Sequence, residues 1–262
     1  KEALIKYEQY LYNMQGIIPE QIAIGSNSTQ LTFDLLQVLL DPGDKILLLD
    51  PAYCNFPTQV TTALEAEIIR FPVVDMDNWK YVPEQKVQKF AQFIRQEKPK
   101  VVLLVAPDNP TSQILPQDFV QAGRDAVEES GGFLVIDFAY KDLVFSEKLP
   151  EYFSWPPSEH YLSLHSNSKW CRGLGRRLGW IEASEDVVSS FESIQCSAIL
   201  CPDTLHQMAL TAYLEKAIAD GSLRTYIQEV SALYRRAAEK TVQAIREHTG
   251  LPCCSPRWSP PR

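Results

Sequence analysis

Residues 101–105 read VVLLV, and residues 106–111 continue as APDNPT. A continuous aliphatic run without alternation is typical of a strand that is buried on both faces of a parallel sheet. The polar, proline-containing segment behind it marks the point where that strand ends. The pattern predicts a buried parallel sheet with polar side chains gathered at one edge.

Further strands and helices alternate on either side of this run. Strands are predicted at residues 21–24, 45–49, 67–71, 133–136, 161–165 and 178–183. Helices are predicted at residues 1–16, 29–40, 56–65, 83–96, 116–130, 185–193, 202–219 and 222–248, and Gly16 is expected to end the first of them. This alternation predicts an α/β fold: a mostly parallel, doubly wound sheet with helices on both faces.

Composition limits the classes of partner. The chain has 262 residues, 45% of them hydrophobic, and a net charge of −8, so no broad basic face is expected for nucleic acid or an anionic membrane. No apolar run approaches 18 residues. The six cysteines show no metal-binding spacing, which disfavours a structural zinc site and favours a reducing, cytoplasmic setting.

Small and hydroxyl-bearing residues at positions 25–29 are predicted to open the second helix. Free backbone N–H groups and the helix dipole would make this turn an anion site, with the hydroxyls of Ser28 and Thr29 as further donors. An ordinary helix N-cap at Asn27 explains the same residues equally well.

Two strand ends carry groups suited to a flat aromatic ligand. Tyr53 could stack on such a ring, or it could pack beneath its own loop. Asn109, which Pro110 holds in an extended conformation, could donate to a phenolate oxygen, or it could form an ordinary Asn-Pro turn.

Asp137 ends a strand that is expected inside the protein. A buried carboxylate needs a partner, which could be a pyridinium N–H, an arginine or a helix cap. Tyr140, three residues further on, could reach the same ligand.

One lysine follows the hydroxyl-rich strand end at residues 162–168. Lys169 could form a Schiff base with a carbonyl compound, while Ser166, Ser168 and Arg177 could hold a phosphate. The competing interpretation is a solvated surface lysine, which is the common state of this residue. The combination suits a phosphorylated carbonyl cofactor.

These segments together resemble the class I and II aminotransferases, which are fold type I pyridoxal-5′-phosphate enzymes. Five motifs follow one another in the family's order: IGSNSTQ at 24–30, DPGD through DPAY at 41–53, NPT at 109–111, DFAY at 137–140, and SNSK at 166–169 with Arg177 behind it. The resemblance covers about residues 1–250. Ser112 and Arg172 stand where the family usually has glycine.

The resemblance implies a role for each candidate residue. Lys169 would be the catalytic Schiff-base lysine, and Asp137 would contact the pyridine nitrogen of pyridoxal 5′-phosphate. Asn109 and Tyr140 would bind its phenolic oxygen, and Tyr53 would stack on its ring. Its phosphate would be held by Asn27, Ser28, Thr29, Ser166, Ser168 and Arg177.

The implied reaction moves an amino group between an amino acid and a 2-oxo acid in a cytoplasmic homodimer. Two alternatives remain open: another enzyme of the same fold, such as a lyase, decarboxylase or cyclising synthase, and a non-catalytic protein that binds the cofactor. The shared cofactor motifs do not separate them.

The resemblance also implies a division of the chain. Residues 1–20 would be a helix from the N-terminal part, residues 21–220 the cofactor-binding large domain, and residues 221–250 a long helix leading to a C-terminal small domain. Residues 251–262 would be an irregular tail. Since the family is longer at both ends, we expect this chain to be truncated at both ends.

Overall fold

A seven-stranded sheet forms the centre of the structure, a computed structural model that describes residues 1–146, 148–173 and 175–253. The strand order is β1-β9-β8-β7-β6-β2-β3, and β4 and β5 form a separate two-stranded hairpin. The strands are β1 (Ile22–Gly25), β2 (Lys45–Asp50), β3 (Glu67–Pro72), β4 (Val74–Asp75), β5 (Lys80–Tyr81), β6 (Val101–Val105), β7 (Phe133–Asp137), β8 (Tyr161–Ser166) and β9 (Gly179–Glu182).

The five strands β3, β2, β6, β7 and β8 lie side by side and run parallel to one another. β9 runs antiparallel to both β8 and β1, so it is the reversed strand of the sheet. All five residues of β6 are buried, which is the burial that its aliphatic sequence predicts. The predicted mostly parallel α/β fold is confirmed.

Helices cover both faces of the sheet. They are α1 (Glu2–Tyr12), α2 (Ser28–Leu39), α3 (Asn55–Ala63), α4 (Val87–Glu97), α5 (Gln117–Glu129), α6 (Glu185–Ala198), α7 (Thr204–Ala219) and α8 (Ser222–Thr249). One core cluster joins α2, α3 and α6 to one face of the sheet, and a second joins α4 and α5 to the other. A third cluster packs α1, α7 and the start of α8 beside β1 and β9.

The prediction that Gly16 ends the first helix is wrong. α1 ends at Tyr12, and Asn13 takes a left-handed conformation with φ of 55°, from which its N–H bonds to the carbonyl of Gln9. Asparagine tolerates this conformation better than most residues and therefore serves as a helix end. Within residues 1–20 the α-helix is thus shorter than expected.

Two predicted helix bounds also needed correction, and one hairpin was not predicted. The helix predicted to start at residue 83 opens as a 3-10 turn, Pro83–Lys86, and the helix predicted to end at residue 193 continues to Ala198. The β4–β5 hairpin was not predicted, because two-residue strands leave too few positions for a period to show.

The long helix predicted at residues 222–248 is confirmed as α8, 28 residues from Ser222 to Thr249. Gly221 and Gly250 flank it in left-handed conformations, with φ of 76° and 65°. At 1.5 Å per residue the helix is about 42 Å long. Residues 251–253 follow without regular structure, and the rest of the predicted tail lies outside the described residues. Among the described helices, none combines the length and hydropathy that crossing a membrane requires.

Candidate active site

The carboxyl ends of β1, β2, β6, β7 and β8 meet around a cavity of about 150 Å³. Ligands of open parallel sheets bind at this edge. All eleven candidate residues line the cavity, and Val105 and Ala139 complete its wall. The eleven are Asn27, Ser28, Thr29, Tyr53, Asn109, Asp137, Tyr140, Ser166, Ser168, Lys169 and Arg177.

The turn before α2 forms one wall. Asn27 is the N-cap of α2, and its Oδ1 accepts a hydrogen bond from the backbone N–H of Gln30 over 3.2 Å. The N-cap interpretation of Asn27 is therefore confirmed, and the same turn also faces the cavity. Gln59 of α3 donates to the carbonyl of Thr29 over 2.8 Å, which holds the first turn of α2 in place.

A close backbone approach fixes this wall against β9. A Cβ added to Gly179 would lie 2.5 Å from the backbone oxygen of His165 and 3.2 Å from Cα of Asn27. Because real Cβ atoms do not approach backbone atoms so closely, this position requires glycine. Gly179 thus lets the helix turn and the end of β8 come together.

Tyr53 lies half-buried at the end of β2. Its ring meets Phe56 edge-on at 5.3 Å, and its hydroxyl accepts a hydrogen bond from the side-chain amide of Asn55 over 3.1 Å. Tyr53 packs against the core below its loop and lines the cavity as well. The packing interpretation is confirmed, and the stacking of Tyr53 on a ligand stays a prediction.

Asn109 and Tyr140 contact each other on the cavity wall. The side-chain amide of Asn109 donates to the Tyr140 hydroxyl over 3.3 Å. Asp108, which sequence reasoning missed, shapes the turn: its Oδ2 accepts the N–H and the hydroxyl of Thr111. Burial raises the pKa of Asp108 to about 6, although those hydrogen bonds act to lower it. An acid next to a buried strand end was the signal that could have identified it.

Asp137 is only 5% exposed at the end of β7. Its Oδ1 accepts the backbone N–H of Ala139 over 2.8 Å, so one carboxylate oxygen has a local partner. Burial raises the pKa of Asp137 to about 6, while that hydrogen bond and the positive charges of His165 and Lys169 lower it. The carboxylate is in an environment that favours a further cationic partner.

The segment after β8 brings the hydroxyls and the lysine to the cavity. Ser166 and Ser168 are buried, their Oγ atoms are 3.0 Å apart, and the N–H of Ser168 donates to Ser166 Oγ over 3.2 Å. Lys169 Nζ lies 5.4 Å from the ring centroid of Tyr140. Arg177 is exposed where it lines the cavity. This edge of the site is therefore accessible to an anion.

A larger groove of about 1400 Å³ shares Tyr140, Ser168 and Lys169 with the cavity. Its other walls are the β4–β5 hairpin and one side of α8, including Trp79 and Leu233. This groove could not be predicted from local sequence, because its walls come from segments far apart in the chain.

Both departures from the family's glycines adopt left-handed conformations. Ser112 has φ of 56° and Arg172 has φ of 51°. Residues with a Cβ are disfavoured there, and glycine is not. The backbone therefore keeps a shape suited to glycine although the side chains have changed.

The sequence profile of the family "Aminotransferase class I and II" matches residues 1–257. The chain belongs to this family. Members of the class I and II aminotransferases use pyridoxal 5′-phosphate as their cofactor. The recognition made from the five motifs is confirmed.

Individual relatives of this aminotransferase-family chain are distant. The aspartate/prephenate aminotransferase of Thermus thermophilus is 24% identical over 241 residues, which are 89% of this chain and 58% of the relative. Histidinol-phosphate aminotransferase 2 of Archaeoglobus fulgidus is 26% identical over 247 residues, 94% of this chain and 62% of the relative. The chain thus spans about three fifths of the length of these relatives.

A solved structure shares the fold. A tetra mutant of Thermus thermophilus aspartate aminotransferase superposes with a TM-score of 0.81 at 23% identity, over 97% of this chain and 67% of the other. This likeness supports the fold type I architecture of the aminotransferase-family chain.

Proposed function

We propose that this protein uses pyridoxal 5′-phosphate to move an amino group between an amino acid and a 2-oxo acid. The observation that carries the proposal is the meeting of side chains from five separate motifs around one cavity, with Lys169 and Asp137 both on its wall. Family membership supports the reaction class.

The chemistry of the donor set fits this cofactor. The first turn of α2, the hydroxyls of Ser166 and Ser168 and the guanidinium of Arg177 would hold the phosphate, since helix N-termini and arginine favour dianions. Asp137 would face the pyridine nitrogen, because a buried carboxylate with a raised pKa gains most from a cationic N–H donor.

The remaining residues would fix the ring and its aldehyde. Asn109 and Tyr140 would bind the phenolic oxygen, and the ring of Tyr53 would pack on the pyridine face. The amine of Lys169 would bind the aldehyde carbon.

When bound, the cofactor supplies an electron sink for the electrons released at the substrate α-carbon. Once the amine of the substrate has replaced Lys169 at the aldehyde carbon, the freed amine of Lys169 would take the proton from the substrate α-carbon as general base and return a proton as general acid. Asp137, whose pKa is about 6, is ionised at neutral pH and would keep a proton on the pyridine nitrogen. The apolar ring of Tyr140 beside Lys169 would keep water from one side of the amine.

Absorbance spectroscopy tests the cofactor assignment. Purified protein mixed with pyridoxal 5′-phosphate is expected to develop a visible band that borohydride removes, and peptide mapping should place the reduced adduct on Lys169. Lys169→Ala should lack the band, and Lys148→Ala, a lysine outside both cavities, should retain it. A band that survives Lys169→Ala would refute the role of Lys169.

Product analysis separates amino transfer from the alternatives. An aminotransferase should release one keto acid from each amino acid that bleaches the band, and a second 2-oxo acid should restore it. Release of carbon dioxide or ammonia would favour a decarboxylase or a lyase. A stable band with no product from any amino acid would favour a non-catalytic protein.

The larger assembly is also proposed. A small domain following α8 would cover the groove, since Leu233 and Tyr234 are 48% and 46% exposed there. Residues 1–20 would belong to the N-terminal part, and residues 21–220 to the large domain. A homodimer would cover exposed apolar side chains of the α6–α7 region, of which Leu200 and Leu205 are each 76% exposed. Sedimentation of a chain extended to the length of its relatives tests the dimer.

A cytoplasmic location is proposed on thiol chemistry. The five cysteines in the described part of the chain are all free, as a reducing compartment permits. Fractionation of cells that express the natural gene would test it.

A further inference from the structure

Four ionisable side chains meet in the protein interior, on the side of the sheet that α1 covers. Glu8 lies on α1, and Lys141 lies in the segment that follows β7. His165 lies on β8, and Glu182 lies on β9. None is more than 2% exposed. Charged groups are rarely so buried unless they compensate one another, and the proposed function assigns none of the four a role.

His165 lies between two carboxylates. Its Nδ1 is 3.5 Å from Oε1 of Glu8, and its Nε2 is 3.4 Å from Oε2 of Glu182 and 2.9 Å from Oγ of Ser163. Lys141 bonds to the other oxygen of Glu8 over 2.6 Å. Oε1 of Glu8 receives no hydrogen bond from the described residues, so the imidazole is the group that faces this buried acceptor.

The charges of the cluster do not cancel without an additional proton. Asp142, held by the hydroxyls of Tyr7 and Tyr12, adds a third buried carboxylate beside the single lysine. With His165 neutral and every acid ionised, the interior would carry an excess of negative charge, which is costly in a low-dielectric environment. One retained proton reduces this excess.

Each ring nitrogen of His165 faces a carboxylate oxygen, Nδ1 that of Glu8 and Nε2 that of Glu182, so the imidazole is placed to hold that proton. Burial raises the pKa of Glu8 to about 7, even though the charge of Lys141 lowers it. Burial alone would also raise the pKa of Glu182, but the charge of His165 and its contact with that carboxylate lower it to about 2. An ionised Glu182 and a charged imidazole would therefore stabilise each other at Nε2, while Nδ1 presents a second N–H to the buried acceptor Oε1 of Glu8.

The cluster lies directly behind the cavity. Leu164 pairs with Asp137 across β7 and β8, so His165 is the next residue on the neighbouring strand. The rings of Phe138 and His165 are 5.5 Å apart, and the imidazole also stacks on Trp180 at 5.0 Å. A positive charge on His165 would lower the pKa of Asp137.

We propose that His165 is a positioning residue for Asp137: with Glu8 it retains a proton in the interior, and the resulting positive charge favours the ionised carboxylate at the cavity. The consequence for catalysis rests on the proposed function, in which Asp137 faces the cofactor. The charge state itself is a property of the cofactor-free protein.

The charged and titratable groups around the imidazole come from every element packed against it. They are Tyr7 and Glu8 of α1, Asp137 of β7, Lys141 and Asp142 of the following segment, Tyr161 of β8 and Glu182 of β9. Of these, Lys141 carries the one positive charge. His165 is therefore the group that can carry a second positive charge.

A metal ion is the competing occupant, since ligand atoms of Glu8, His165 and Glu182 lie within 4.8 Å of one another. The ammonium group of Lys141 bonds to Glu8 over 2.6 Å, so a divalent cation there would face a like charge. A shared proton meets the same electrostatic demand without that repulsion.

Nuclear magnetic resonance of the full, cofactor-free chain reads the charge state directly. The chain has four histidines, and the ring nitrogen-15 signals that disappear in His165→Gln belong to His165. At pH 7 both of its nitrogens are expected to show the protonated, imidazolium pattern. A neutral tautomer at pH 7 would overturn the proposal. If His165→Gln does not fold, replacement of His160, His206 and His248 leaves His165 as the one histidine that gives a signal.

The effect on Asp137 is measured by the carbon-13 titration of its carboxyl group, assigned with Asp137→Asn. In His165→Gln the proton affinity of Asp137 is expected to rise about three- to tenfold, because an opposite charge has been removed. His160→Gln is the matched control, since that ring contacts the carbonyl of Gly132 at the other end of β8. An unchanged titration of Asp137 in folded His165→Gln would refute the proposal.

Zinc titration of the same sample distinguishes a bound metal ion from a shared proton. No stoichiometric binding is expected, and loss of the imidazolium signals on addition of one equivalent of Zn²⁺ would overturn the shared proton. None of these measurements uses pyridoxal 5′-phosphate. A failure of the cofactor assignment therefore leaves the result for His165 intact, and the reverse also holds.

Discussion

The side-chain amide of Asn109 donates to the hydroxyl of Tyr140, and this 3.3 Å hydrogen bond joins the turn after β6 to the turn after β7. The amide has two N–H donors, and this bond uses one of them. The two parallel strands thereby present a pre-arranged donor and hydroxyl at the cavity before any ligand arrives.

Tyr140→Phe removes the hydroxyl from this pair. A net hydrogen bond is worth about 0.5–1.5 kcal/mol, so the dissociation constant for pyridoxal 5′-phosphate is expected to rise about two- to tenfold. Titration of the visible band measures it. Tyr213→Phe on α7, whose ring lies outside both cavities, should bind as the wild type does. Unchanged binding in Tyr140→Phe would exclude a role for the hydroxyl.

Asp137→Asn should have opposite effects on the stability of the cofactor-free protein and on its affinity for the cofactor. The folded-state pKa of Asp137 is about 6, above its ordinary value of 3.8, so the folded protein holds this proton more tightly than the unfolded chain. The contribution of Asp137 to stability is therefore fully present below pH 4 and is lost as the pH rises through 6. At pH 7.5 the carboxylate costs up to about 3 kcal/mol in the cofactor-free protein.

Urea unfolding tests whether the ionised carboxylate of Asp137 lowers the stability of the cofactor-free protein. The cofactor-free Asp137→Asn variant is expected to have the higher free energy of unfolding at pH 7.5, and a value close to that of the wild type near pH 4. Its affinity for the cofactor should fall. A variant less stable than the wild type at pH 7.5 would contradict the burial argument.

Gly179→Ala should disturb the turn before α2. The added methyl would meet the backbone of His165 and Asn27, and overpacking of this kind costs about 1–3 kcal/mol. Gly175→Ala is the matched control, because within the described residues no atom other than those of Gly175 and its chain neighbours lies within 4 Å of its Cβ position. In Gly179→Ala the melting temperature and the affinity for the cofactor should both fall. In Gly175→Ala neither should change. Equal effects in the two variants would contradict the close approach.

Ser112→Gly should stabilise the protein. Ser112 has φ of 56°, a conformation that costs a residue with a Cβ about 1–2 kcal/mol, and part of the gain is offset by the flexibility of glycine in the unfolded chain. A net gain of about 0.5–1 kcal/mol in urea unfolding is expected. Ser112→Ala keeps the Cβ and should show no gain. Equal stability of the glycine and alanine variants would show that backbone strain is not the cause.

Glu8→Ala should be strongly destabilising. Removing one partner of a buried ion pair typically costs about 3–5 kcal/mol, since Lys141 would remain buried without the carboxylate to which it bonds. Glu239→Ala breaks the exposed pair with Arg235, where the expected change is about 0.5 kcal/mol or less. The comparison is made by urea unfolding at pH 7.5. Comparable losses at the two sites would argue against a stabilising role for the cluster.

Much of the site followed from local sequence. The aliphatic run of β6 and the apolar residues before Asp137 placed two strand ends, and polar side chains behind such ends face one ligand edge in any parallel sheet. Asn27, Asn109, Asp137 and Lys169 could be grouped for this reason alone.

Other features depend on relationships that local patterns do not contain. The antiparallel direction of β9 could not be predicted from its apolar sequence, because hydrophobic periodicity indicates burial and not the direction in which a strand runs. Glu8 and Lys141 are 133 positions apart, and neither has a neighbour in sequence that indicates an ion pair. The left-handed conformation of Asn13 could not be predicted from the sequence, because Gly16 follows closely and glycine is the more usual helix end.

The burial pattern of α8 divides the chain into parts that open separately. Its buried residues, Leu223, Val230 and Ser231, all lie in the first ten positions, and the turns beyond them are largely exposed. An exposed helix is only marginally stable, so amide hydrogens in its outer turns should exchange with solvent far faster than those of β6–β8. Fluorescence from the buried ring of Trp180 will therefore report global unfolding, whereas a label on the outer turns of α8 will report fraying that precedes it.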